Sequence, residues 1–208
     1  MKLLFENLQT FMTAGAGAWD IPAIEPTKMV PECEWIGFNY ANQYASRGAG
    51  YGVHFFLDDE QFLRVWNRPD KYAPIFRRYK CVCSPDFSMY TDMPRALQIY
   101  NHYRKHWCAA YWQELGLTVI PTISWSDKNS FAWCFDGEPR ESVVAIGTTG
   151  TQQSAKTRAA FLDGYYEMQT RLSPTQILVY GVVPTELESD NIIKIGDYSA
   201  AHFKKEAR

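Results

Sequence analysis

The chain predicts an α/β fold: a mostly parallel sheet from repeated strand–helix units, either barrel-like (a small or incomplete β/α barrel) or an open doubly wound sheet. Three observations carry that expectation. Short, β-branched, nearly continuous apolar runs recur along the 208 residues, without the alternation of a sheet that is wet on one face. Helical patterns with start and stop signals separate them. The strand–helix–strand spacing suits right-handed parallel crossovers. The barrel-like form is slightly favoured, because several strands end in polar residues with no single dominant crevice.

The strands read in order as "GVHFFL" (52–57), "KCVCS" (80–84), "LTVIPTIS" (117–124), "SVVAIG" (142–147) and "QILVYGVV" (176–183). "EWIGFNY" (34–40) and "NIIKIGDY" (191–198) are weaker candidates at the two ends. Asp58 or Asp59 can cap a helix through Trp66, with Gln61 completing a capping box if Asp58 is the cap. Pro69 breaks that helix, and Asp70 starts another toward Tyr79. Pro94 presets the first turn of a long helix that Gly116 ends. Ser126 or Asp127 caps "KNSFAWCF", and Ser154 opens a helix to Leu172, before Pro174. Residues 1–30 read as an irregular, Pro-containing arm packed on a single α/β domain, 31–208.

Hydrophobic residues at 46% and charged residues at 21% give an ordinary globular balance. A formal net charge of −2 provides no global positive field, so nucleic acid is an unexpected partner. Arg77, Arg78 and Lys80, and the pair Lys204-Lys205, read as solvated surface. Glu6, Asn7 and Gln9 interrupt the amino-terminal apolar stretch, which argues against a signal peptide. No apolar run approaches the roughly 20 residues that span a bilayer. The five cysteines include no Cys-x-x-Cys pair and suit a reducing, cytoplasmic setting.

The stretch "IYNHYRKHWCAAYW" (99–112) lies within the long helix. Leu97, Tyr100, Trp107, Cys108, Tyr111 and Leu115 form its expected apolar stripe, and Gln98, Asn101, His102, Lys105 and Gln113 its expected solvated side. His102 and His106, four apart, could share a metal ion. The zinc-protease pattern would place Glu where Tyr103 stands, and no third ligand sits at a recognisable spacing. No metal and no particular cofactor is therefore expected.

In parallel α/β folds ligands bind beyond the carboxyl ends of the strands. Those positions hold Asp86 and Asp127, which could act as an acid–base pair or hold a divalent cation. The plainer alternative has Asp86, after Pro85, organising a turn while Asp92 and Asp127 cap helices. Ser88, Asp92 and Asn101 would add polar contacts to a ligand. Trp125 would stack a base or sugar, or else serve as core or lid. Gly147, Thr148 and Thr149 open a Gly/Thr turn that could hold an anion on its backbone N–H groups. It is not a P-loop, since Thr151 stands where that motif has Lys.

Three segments, "FFLDDEQFLRVWNRPDKY", "SPDFSMYTDMPRALQIYNHYR" and "VIPTISWSDKNSFAWCFDG", resemble the bacterial, phage and mobile-element family known as domain of unknown function 4417. The likeness runs from about Ile21 to about Pro184, and the block ending at Asn101 is its most specific part. Family members more usually have an Arg and a Gly-Asp near "ISWSD", and His and Cys where this chain has Thr149 and Thr151. The resemblance implies a prokaryotic or phage origin and an intracellular setting, without an activity or a residue role to carry over. Two expectations of function follow. One is a protein that binds or processes a small polar ligand, nucleotide- or sugar-like, at its strand ends. The other is a non-catalytic factor that engages a host replication or defence protein through aromatic hot spots.

Overall fold

The computed structural model describes residues 15–187 and 191–196. The rejected signal-peptide stretch, Lys204-Lys205 and the end of the last candidate strand lie outside the described residues. Among the described residues nine strands are formed: β1 (Gly15–Ala16), β2 (Ile21–Pro22), β3 (Glu34–Gly37), β4 (Tyr51–His54), β5 (Cys81–Cys83), β6 (Val119–Ile120), β7 (Val143–Gly147), β8 (Gln176–Tyr180) and β9 (Ile192–Ile195). The helices are α1 (Phe38–Ala41), α2 (Asp59–Phe62), α3 (Arg64–Asn67), α4 (Pro69–Phe76), α5 (Arg95–Glu114) and α6 (Ala155–Leu172).

β1 and β2 make a small antiparallel pair. The other strands are parallel throughout, in the order β3-β4-β5-β6 and then β7-β8-β9. Pro121 cannot donate to a ladder and ends β6 after two residues. The two ladders touch through a single parallel bridge, Thr122 to Ala145. Each strand therefore lies beside its predecessor, as the expected crossovers require. Among the described residues no ladder joins β9 back to β3, so the sheet is not a closed barrel.

The sheet is nonetheless curled. His54 and Phe56, at the end of β4, lie 4.8 and 5.1 Å (ring centroids) from Tyr180 at the end of β8. Three strands intervene in the ladder order. Val53, Val143, Ala145, Leu178 and Ile195 belong to one apolar cluster. The alternate residues Val144, Ile146, Ile177 and Val179 form a second cluster with Phe161, Tyr165, Met168 and Leu172 of α6. These strands are covered on both faces, which is why their sequence lacked alternation.

α6 begins as expected. Ser154 caps it, and Thr157 reaches back to complete a capping box. The Asp58–Gln61 box does not form: Asp58 makes no side-chain cap bond. α4 starts at Pro69, the first-turn position proline favours, and not at Asp70.

The long helix α5 requires the main correction. Its expected solvated side is buried: Gln98 is 7% exposed, Asn101 2%, and His102 and Lys105 1% each. Leu97 and Tyr100, assigned to the apolar stripe, are exposed. The donor groups of these side chains meet backbone carbonyls of neighbouring segments. Gln98 donates to the carbonyls of Tyr90 and Met93, Asn101 to Ser88, and Lys105 to Thr122. His102 and His106 face the carbonyls of Asp136 and Pro22, and Gln113 donates to Glu25. Loops without a ladder need such partners for their carbonyls, and α5 supplies them.

Candidate functional site

The carboxyl ends of the strands enclose a cavity of about 530 Å³, within the usual range for small-ligand sites. Asp86 and Ser88 enter it from the segment after β5, and Ser124 and Trp125 from that after β6. Gly147 and Thr149 come from the end of β7, Phe56 and Asp58 from β4, and Tyr180 from β8. Five successive strand ends, β4 to β8, thus contribute to one hollow. A second hollow of about 640 Å³ lies among residues 25–31, Gln113 and 117–119 at the opposite ends of the strands. There Gln113 is already tied to the backbone of Glu25 in both directions.

Asp86 is the chemically unusual group. Burial pushes its carboxyl from the ordinary 3.8 up to about 7, the charge of Asp59 adds to the rise, and Lys105 opposes it. Among the described residues no hydrogen bond to its side chain is found. Gly147 leaves the floor open: a Cβ there would press on the Phe56 ring at 3.0 Å and approach Asp86 Oδ2 at 3.8 Å.

The walls are aromatic. Phe56 and Tyr180 stack nearly parallel, 12° apart. Trp125 leans on Phe161 with ring centroids 5.4 Å apart and lies over Gly164 of α6, where any Cβ would overlap the indole. Gly164→Ala is expected to lower the melting temperature and shift tryptophan fluorescence. Overpacking of about 1–3 kcal/mol outweighs the ~1 kcal/mol that Gly→Ala ordinarily returns inside a helix.

The loop carrying Asp86 is clamped from below. The Asp59 carboxylate accepts from the Ser88 N–H at 3.1 Å and from its hydroxyl at 2.8 Å. Asn101 donates to the Ser88 carbonyl at 2.6 Å. Arg104 lies 3.7 Å from Asp59 Oδ2 and over the Phe87 ring. Sequence reasoning had Asp59 only as a possible helix cap, passed over Phe56, and reached Tyr180 only as one strand-end position without a role. Their positions one or two residues beyond β4 and at the end of β8 were the available signal.

The structure does not bring all the candidate residues together. Asp86, Ser88, Trp125, Gly147 and Thr149 line the cavity. Asn101 lies beneath it. Asp92 is exposed and is not among the lining residues. Thr148 turns inward, its hydroxyl and N–H both donating to the Tyr180 carbonyl. The Thr151 N–H is also engaged, by the Thr148 carbonyl, so two donors of the expected anion grip are occupied.

Asp127 stands apart from the cavity and does not face Asp86 across it. Its Oδ1 accepts from the N–H groups of Asn129 and Ser130 at 3.0 and 3.1 Å, capping the 3-10 turn Lys128–Ala132. Asp127→Ala is accordingly expected to cost about 1 kcal/mol of stability, which thermal melts against wild type would read.

Among the described residues no lysine or arginine lines the cavity, whereas Asp58 and Asp86 do. Desolvating a phosphate beside two carboxylates is unfavourable, so the chemistry suits neutral or cationic groups. A protonated Asp86 can donate one hydrogen bond and accept others, and the ring walls offer faces for stacking.

The fold and the cavity define the class: a parallel α/β protein with a strand-end hollow. The chain belongs to the family described as Domain of unknown function (DUF4417), whose model matches residues 13–199. Two relatives are the Gene 1 proteins of Mycobacterium phages D29 and L5, each 38% identical over 180 residues, or 85% of this chain. The match covers 66% of the D29 protein and 78% of the L5 protein, so this chain spans just under two thirds of the former. No solved structure matches significantly. Among the described residues no helix is long and apolar enough to cross a membrane.

Proposed function

We propose that the strand-end cavity binds a small polar molecule with a flat or ring-shaped face, uncharged or cationic, such as a nucleoside or a sugar. The observation that supports this best is the meeting of Asp86 with the Phe56–Tyr180 stack and Trp125 in one hollow. Asp86 would read hydrogen-bonding groups on the ligand, and could pass a proton if a reaction follows, since its pKa of about 7 suits either role. The acidic lining narrows the nucleotide-like expectation to the unphosphorylated form. The phage relatives suggest that the site works inside an infected host cell.

A thermal-shift panel of nucleosides, their 5′-phosphates and simple sugars, run on wild type and Asp86→Ala, tests the proposal. A ligand at a hundred times its dissociation constant adds about 2.7 kcal/mol, roughly 5–10 °C for a chain of this size. The expected result is a shift with an unphosphorylated ligand that Asp86→Ala abolishes without lowering the unliganded melting point. Silence across the panel, or a shift that Asp86→Ala retains, would favour the host-protein factor instead.

A further inference from the structure

The histidines of the "HYRKH" segment have a third companion that their spacing did not disclose. His102, His106 and Glu138 are all buried, at 1%, 0% and 8% exposure. Each can offer one ligand atom, and those atoms lie within 4.8 Å of one another. The i,i+4 spacing on α5 sets the two rings side by side, their centroids 4.3 Å apart. Glu138 arrives from the loop after Gly137, whose positive φ of 75° turns the chain back toward the helix.

Hydrogen bonding settles which atoms are available. His102 Nε2 lies 3.0 Å from the Asp136 carbonyl, and His106 Nδ1 lies 2.8 Å from the Pro22 carbonyl. A carbonyl can only accept, so each of those nitrogens carries the hydrogen. In neutral rings the lone pairs then sit on His102 Nδ1 and His106 Nε2. His102 Nδ1 is buried with no partner, and so is Glu138 Oε2. His106 Nε2 is 2.9 Å from Glu138 Oε1. Two acceptors at that distance need a shared proton or a cation between them.

We propose that His102, His106 and Glu138 form a buried site for a divalent transition metal of the Zn²⁺ type. Two imidazoles and a carboxylate are a donor set that zinc accepts. Each ligand already has the outer hydrogen bond that orients metal ligands: Asp136 O for His102, Pro22 O for His106, and Lys105 Nζ on Glu138 Oε1 at 2.7 Å. Lys105 leaves Oε2 free to ligate. Ligands at about 2.1 Å in a tetrahedron stand roughly 3.4 Å apart, so these atoms would draw closer together on binding. The site is closed to solvent, so the ion is structural: it fastens β2 and the Gly137 loop onto α5. It stands independently of the ligand proposed for the cavity.

The test uses the full chain, stripped with EDTA and dialysed against Zn²⁺ alone or Co²⁺ alone. The expected result is one Zn²⁺ retained per chain with a rise in melting temperature of several degrees. Co²⁺ should give visible d–d bands without the near-ultraviolet charge transfer of a thiolate ligand. His102→Gln and Glu138→Gln should each lower retention at least tenfold. Absence of retained metal in folded wild type would overturn the site, leaving a proton shared between His106 and Glu138. A thiolate band, which would assign the ion to cysteine ligands, or undiminished retention in His102→Gln, would overturn it equally. If His102→Gln does not fold, the cobalt spectrum of wild type decides alone.

Discussion

Asp86→Asn is expected to stabilise the protein at pH 8 and to leave its stability unchanged near pH 3. The folded carboxyl titrates at about 7 and its ordinary value is 3.8. Between those values the native state keeps a proton that the unfolded chain has released, so stability falls as pH rises from about 4 to about 7. The penalty is complete above the folded value and absent below the unfolded one. Three units correspond to about 4 kcal/mol. Asp86 is only half-buried at a hollow that water can enter, so on the order of 2 kcal/mol is a sounder expectation, or roughly 4–8 °C. Melting curves of both proteins across pH 3–9 would show the two converging in acid and diverging above neutrality. Equal differences at every pH would mean that Asp86 is an ordinary solvated carboxylate. A carboxyl kept at such expense, facing a cavity, fits the role proposed for Asp86.

Lys105→Met is expected to be among the most damaging single substitutions, costing about 3–5 kcal/mol. Lys105 is 1% exposed, and its ammonium joins Glu138 Oε1 at 2.7 Å and the Thr122 carbonyl at 2.8 Å. Removing it leaves Glu138 ionised in a dry interior beside His106. Lys105→Met combined with Glu138→Gln should recover part of the loss, because the pair is then removed together. Urea unfolding of the metal-free proteins, arranged as a double-mutant cycle, measures that coupling. A loss under 1 kcal/mol for Lys105→Met, or strict additivity, would show that water reaches the pair. Lys105 also holds the Asp86 pKa down. Its loss should therefore move the Asp86 stability transition to higher pH.

The strands were legible in this chain because both of their faces are covered. Runs such as "SVVAIG" and "QILVYGVV" carry consecutive apolar residues without alternation, and a surface sheet would not tolerate that. α6 was legible through Ser154 and the break before Pro174. α5 was misjudged for a physical reason. Periodicity separates a polar side from an apolar one, but it does not say whether the polar side meets water or the carbonyls of unpaired loops. Asn101, His102, Lys105 and His106 meet carbonyls, and their chain partners lie 13 to 84 residues away.

Much of the site was visible by the rule that ligands gather at strand carboxyl ends, which drew attention to Asp86, Ser88, Trp125 and Gly147. The rule does not distinguish a free carboxylate from a capping one, and Asp86 and Asp127 differ in that respect. Asp127 is followed by N–H groups waiting for a cap. Asp86 follows Pro85 in a segment clamped by Asp59 and Asn101, so its carboxyl is left unbonded. Phe56 and Tyr180 could not be paired from sequence, because only the curl of the sheet brings the ends of β4 and β8 together.

The most direct measurement is a ligand titration of ¹⁵N-labelled protein, following the indole N–H signals of its seven tryptophans. Trp125 is the one that lines the strand-end cavity, and Trp125→Phe assigns its signal. A nucleoside or sugar that occupies the cavity should shift the Trp125 signal in a saturable way and leave those of Trp35, Trp66, Trp107 and Trp112 in place, with the shift lost in Asp86→Asn. Movement confined to other indoles, or a Trp125 signal unmoved at millimolar ligand across the panel, would contradict a binding site at the strand ends.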